Sequence, residues 1–96
     1  MIDVRQTAEF ARWLRRLTDA QAVARIVGRI RRIEQGNFGD VRSVGTGVME
    51  MRMDYSPGYR VYFIRRGDAV VILLCAGDKR TQAKDIQRAR KMAEDY

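Results

Sequence analysis

Apolar positions near the start of the chain recur at helical spacing. Phe10, Trp13, Leu14 and Leu17 lie three and four residues apart, which predicts one face of a helix from about Thr7 to Leu17, preceded by a short alternating strand at Ile2 and Val4. Thr18, followed three residues later by Gln21, matches a capping box and predicts a second helix close behind the first. Its apolar face is Val23, Ile26, Val27, Ile30 and Ile33, and Gly36 is placed to end it. The pair forms a helical hairpin. From residue 48 the period changes to two: Met49, Met51 and Met53 alternate with Glu50, Arg52 and Asp54, and Tyr59, Val61 and Phe63 alternate with Arg60, Tyr62 and Ile64. Tyr55-Ser56-Pro57-Gly58 reads as the turn between these strands. Gly67-Asp68 leads into Ala69–Ala76, which is apolar on both faces and therefore belongs inside the sheet rather than at its edge. Helical spacing returns after Thr81 with Ile86, Ala89, Met92 and Ala93.

This order predicts a single α+β domain over residues 1–96, with an N-terminal strand and a helical hairpin packed on an antiparallel sheet and a C-terminal helix. A chain of 96 residues has room for one such domain. The segment 36–47 carries four glycines and reads as an ordered loop. No Walker lysine or dinucleotide pattern follows those glycines, so no nucleotide cofactor is implied.

Composition narrows the chemistry. The chain has no histidine, which excludes His-dependent triads, His general bases and His metal ligands, and no metal site is expected. Cys75 is the single thiol; with Ile72, Leu73, Leu74 and Ala76 around it, it is expected to be buried and inert. The N-terminus lacks the features of a secretory leader, and the longest apolar run, Ala69–Ala76, is far shorter than the roughly 18–20 residues of a membrane span, so a cytoplasmic location is expected. Nineteen basic against twelve acidic residues leave a net charge of +7, spread over both halves. Such a surface suits a polyanionic partner. Sixteen of the basic residues are arginine, a skew that a GC-rich coding sequence would also produce. Arg25, Arg29 and Arg32 form a stripe on the outer face of the second helix, read first as a solvated face that is also able to meet nucleic acid or an acidic partner.

If the Met and Val/Phe faces of the strands cover the helical hairpin, Arg52 and Arg60 stand side by side on the opposite face. Adjacent guanidiniums repel unless an anion lies between them. Glu50 and Asp54 could supply that anion internally, and a phosphate backbone could supply it from outside, since the guanidinium fork donates two hydrogen bonds at once.

Gly36-Asn37-Phe38-Gly39-Asp40, Gly47-Val48 with Glu50 and Arg52, Gly58-Tyr59-Arg60-Val61-Tyr62-Phe63, and Gly77-Asp78-Lys79 with Gln82, Asp85 and Ile86 together resemble the RelE/ParE toxin superfamily. The resemblance is closest to its HigB-like branch of addiction-module killer proteins. It implies the toxin of a type II toxin-antitoxin pair, neutralised by a cognate antitoxin that is often a helix-turn-helix protein. It further implies a metal-independent endoribonuclease that cleaves mRNA on the ribosome. Such cleavage uses the substrate 2′-hydroxyl as nucleophile and needs positive charge on the developing phosphorane. Arg52, Arg60 and Lys79 are the expected catalytic contacts, and Arg80, Tyr62 and Tyr59 the expected RNA contacts. Tyr62 is expected to be exposed, whereas Tyr59 shares a face with Val61 and Phe63 and suits core packing as well. Asp78, Gln82 and Asp85 read as turn and helix-start residues, and Gly77 as a turn glycine. The missing histidine, a proton-transfer group in several ribosome-dependent relatives, keeps a ParE-like DNA gyrase poison as an alternative. A plain basic nucleic-acid-binding module is a further one.

Overall fold

The computed structural model describes Met1–Tyr96. Its elements run β1 (Asp3–Gln6), α1 (Ala8–Arg16), α2 (Ala20–Glu34), β2 (Val41–Ser43), β3 (Met49–Arg52), β4 (Tyr59–Arg66), β5 (Val70–Asp78), a short 3-10 turn (Lys79–Thr81) and α3 (Gln82–Ala93). The expected α+β architecture is present, with the helical hairpin near the N-terminus and a helix at the C-terminus.

Local chemistry sets the helix ends. Thr7 caps α1: its hydroxyl accepts from the Phe10 N–H at 3.1 Å and donates to the Leu74 carbonyl at 2.6 Å, so one buried side chain both starts the helix and ties it to β5. Asp19, not the expected Thr18, caps α2. Its carboxylate accepts from the Gln21 and Ala22 N–H groups at 3.0 and 3.2 Å, satisfying two of the helix's unpaired donors where a hydroxyl typically satisfies one. Gly36 ends α2 with φ of +88°, a conformation that a Cβ disfavours.

The five strands lie in the order β1-β5-β4-β3-β2, with β1 parallel to β5 and the other pairs antiparallel. Two points go beyond the sequence reading. The segment 36–47 is not all loop, because Val41–Ser43 pairs with β3 as an edge strand. The sheet also buries both faces. On one, Phe10, Ile26 and Ile33 from α1 and α2 pack on Met51, Val61, Phe63 and Leu73. On the other, Ala89 of α3 packs with Val48, Tyr62, Ile64, Leu74 and Cys75. A bulge between Tyr62 and Phe63 shifts the β4–β5 register, so that Tyr62 pairs with Cys75 but Phe63 with Leu73. The extra residue, Leu74, joins Cys75 in the second core. β5 is an interior strand, as its unbroken apolar run predicts. Cys75 is buried, and burial pushes its thiol up to about 12. No helix is long and apolar enough to cross a membrane.

Candidate anion-binding site

The register places Arg52 directly opposite Arg60 on β3 and β4, as the alternation predicts. Their surroundings differ sharply. Arg52 is exposed, and its Nε donates to Asp40 at 3.3 Å. Arg60 is only 8% exposed and belongs to no ion pair. Its Nη1 donates to the Gly58 and Tyr59 carbonyls at 3.2 Å each, while Nε is buried with no hydrogen-bond partner. The unengaged edge of this guanidinium is the Nε–Nη2 side, one that grips an oxyanion with two parallel hydrogen bonds.

Neither expected internal anion reaches it. Glu50 is fully buried and engaged elsewhere, accepting from Arg42 Nε at 2.8 Å, from the Tyr62 hydroxyl at 3.0 Å and from Gln82 Nε2 at 2.8 Å. Burial alone would raise its pKa, but these three hydrogen bonds outweigh burial and hold the carboxyl below the usual range. Asp54 is exposed and forms no ion pair.

Arg60 instead borders an open pocket of about 400 Å³ at the β3–β4 turn, with Asp54, Tyr55, Gly58 and Lys79 among its walls. Lys79 follows β5 and packs beside the turn: a Cβ on Gly58 would lie 3.5 Å from both Arg60 Nη1 and Lys79 Cβ. The structure therefore brings Arg60 and Lys79 to one pocket, with Arg52 on the neighbouring strand. Arg80 is not part of that lining. It is highly exposed and spends its guanidinium on Asp78 at 3.0 Å, while Asp78 caps the 3-10 turn through the Arg80 N–H at 2.8 Å.

The two tyrosines lie on opposite faces of the sheet. Contrary to the expected exposure, Tyr62 is fully buried because α3 covers its face, so it has no surface to offer a base. Burial, and then the hydrogen bond to Glu50, push its phenol well above the ordinary range, which leaves it a fixed donor. Tyr59 is half-buried on the other face, edge-on to Trp13 with ring centroids 5.9 Å apart. Core packing is the role the structure shows for it.

Sequence reasoning does not single out the Glu50–Tyr62–Gln82–Arg42 network. A signal for it exists, since Glu50 and Tyr62 pair across strands and so share a face. Gly77, expected as a turn glycine, lies within β5 opposite Arg60. A Cβ there would stand 1.9 Å from the Asp85 carboxylate, which occupies that space while accepting from the Thr81 hydroxyl at 2.5 Å. Burial raises the Asp85 pKa against the opposing effect of that hydrogen bond. No cluster of three or more His, Cys, Asp or Glu side chains is placed to hold a metal ion.

A family model described as phage-derived Gp49-like protein (DUF891) matches residues 12–94. The chain belongs to this Gp49-like family. That match replaces the RelE/ParE and HigB-like assignment suggested by the short motifs, all of which fall inside the matched segment. The glycines behind much of that resemblance serve local geometry: Gly36, Gly39, Gly47 and Gly58 adopt positive φ in turns and loops, and Gly77 makes room for Asp85. They report on chain path rather than on a target. An uncharacterized protein of Haemophilus influenzae strain Rd is 46% identical over 94 residues, covering 98% of this chain and 95% of the relative. No solved structure matches.

Proposed function

We propose that this Gp49-like protein is a growth-inhibiting toxin of an addiction module that acts on RNA, with the Arg60 pocket as its phosphodiester site. The observation that carries this reading is a buried guanidinium with no carboxylate partner and an unsatisfied Nε. Leaving a buried donor unpaired costs about 1–3 kcal/mol, more when it is charged. An entering phosphate oxygen removes that cost and gains charge-assisted hydrogen bonds. In the proposed reaction the substrate 2′-hydroxyl gives its proton to water and attacks the adjacent phosphorus, the P–O5′ bond breaks as the 5′-oxygen takes up a proton from water, and charge accumulates on the non-bridging oxygens between. Arg60 holds those oxygens, Lys79 adds positive charge from the pocket wall, and Arg52 contributes from the adjoining strand. A fixed donor at a developing charge is commonly worth on the order of 10²-fold or more in rate. The partner is a cognate antitoxin that suppresses the activity.

Arg60→Gln leaves a polar amide at this position and removes the charge. Expression of the wild type is expected to arrest growth and shorten translated mRNAs, and Arg60→Gln is expected to abolish both while its circular dichroism spectrum stays native. Intact transcripts during arrest, or arrest accompanied by gyrase-linked DNA breaks, would overturn the reading.

A further inference from the structure

On the far side of the same turn lies a second groove of about 360 Å³, between α2 and the residues that follow β3. Its helical wall is the arginine stripe Arg25, Arg29 and Arg32, with Gly28 between them. The three arginines are held differently. Arg29 is a brace: its Nη1 donates to the Arg52 carbonyl at 2.8 Å and its Nη2 to the Phe38 carbonyl at 3.3 Å. The Arg25 guanidinium sits over the Tyr55 ring, 4.6 Å from its centroid, and the Tyr55 hydroxyl is fixed by donation to Asp19 at 3.0 Å. Arg32 is exposed, and neither it nor Arg25 nor Arg29 has a carboxylate in ion-pair contact. Asp54 is the single carboxylate in the lining, so the groove keeps an excess of positive charge. A Cβ on Gly28 would meet nothing within 4 Å, which leaves the helix wall open between the arginines.

This groove and the Arg60 pocket share Met53, Asp54 and Tyr55, so they are two sides of one ridge. We infer that the α2 groove is a second anion subsite, which holds another phosphate of the same single-stranded RNA whose reacting phosphate sits on Arg60. The inference rests on the RNA reading of the Arg60 pocket. Continuity favours RNA over an acidic protein segment as the occupant: one strand crossing the Tyr55 ridge meets cations on both sides, and its phosphates straddle Asp54 rather than face it. Arg25, held over a ring that is itself fixed, is a guanidinium of the kind on which unpaired bases stack.

The test is the salt dependence of binding to a 2′-O-methylated octaribonucleotide, which lacks the cleavage nucleophile. For single strands each phosphate neutralised contributes about 0.7 to the slope of log affinity against log salt. Arg25→Gln/Arg32→Gln, which leaves the Arg29 brace in place, is expected to reduce the slope by about 0.7. Combining it with Arg60→Gln should reduce the slope further. Arg65→Gln/Arg66→Gln removes two charges at the opposite end of β4 and is expected to leave the slope near wild type. An unchanged slope in the α2 variant, with a reduced one in Arg60→Gln, overturns the subsite and leaves the Arg60 reading standing. An equal drop in the β4 control overturns the subsite too, since general charge then explains the effect. If the α2 variant loses binding only to a glutamate octapeptide, the groove is a protein site and the inference fails. Absence of salt-dependent RNA binding by the wild type overturns both readings.

Discussion

Gly77 and Glu50 are the two residues on which the far face of the sheet depends. Gly77 has no positive φ to explain its identity; the reason is the Asp85 carboxylate, 1.9 Å from where a Cβ would be, and the Thr81 hydroxyl at 2.8 Å. Gly77→Ala is expected to destabilise the fold by about 1–3 kcal/mol, as overpacking does. Asp85→Ala should restore much of that loss in the Gly77→Ala background, and a double-mutant cycle by urea unfolding would measure it. Strict additivity of the two changes would show that Asp85 is not the clashing group. Glu50 contributes to stability against acid. Its folded pKa lies below its unfolded value, so it contributes stability that is present above the usual carboxylate range and lost as pH falls through the folded pKa. Asp85, whose folded pKa is raised, works in the opposite direction and subtracts stability as pH rises through that range. Glu50→Gln is therefore expected to lower stability at neutral pH by about 1–3 kcal/mol and to flatten the acid limb. Unfolding midpoints between about pH 3 and about pH 7 check both signs; an acid limb as steep as that of the wild type would contradict the assignment.

The elements are legible in the sequence in proportion to their length and periodicity. α1, α2 and α3 follow from helical spacing, β1, β3 and β4 from alternation and β5 from its unbroken apolar run, and the Arg52–Arg60 pairing follows from alternation once the hairpin turn is placed. β2 does not, because Val41-Arg42-Ser43 is too short to show a period, and its pairing depends on β3 rather than on its own residues. The side of the sheet taken by α3 is equally invisible. Its apolar spacing shows that it packs, but not where, and the burial of Tyr62 depends on that location. This is why the arginine pair is readable in the sequence and the state of the neighbouring tyrosine is not. Within α2, Gly28 is a helical residue whose missing Cβ avoids no clash. Gly28→Ala is expected to stabilise the protein by about 0.5–1 kcal/mol through helix propensity and to raise its thermal midpoint by a few degrees. A lower midpoint would mean that the helix is constrained there by something other than propensity.

At the scale of the whole molecule, the +7 charge resolves into arginines with distinct duties. Arg42, Arg52, Arg80 and Arg88 are paired with Glu50, Asp40, Asp78 and Glu9, and Arg29 is tied to backbone carbonyls. Arg60 is the buried cation left without a counter-charge, a distinction that composition cannot make because it depends on which carboxylates the fold turns away. The family also lies beyond the short motifs, whose glycines describe turns and a close approach shared by many chain paths. The parallel pairing at the sheet edge bears on how the protein comes into being. β1 is synthesised well before its hydrogen-bonding partner, β5, with Asp3 aligned to Val70 and Gln6 to Leu73. The strand must wait while residues 7–69 are made, and Arg60 has no neighbour at Gly77 until β5 arrives. With elongation at about 5–20 residues per second, that wait lasts several seconds. A nascent chain interrupted before β5 thus carries Arg52 and Arg60 without the pocket, and the assembled site exists only once β5 and Lys79 have been made.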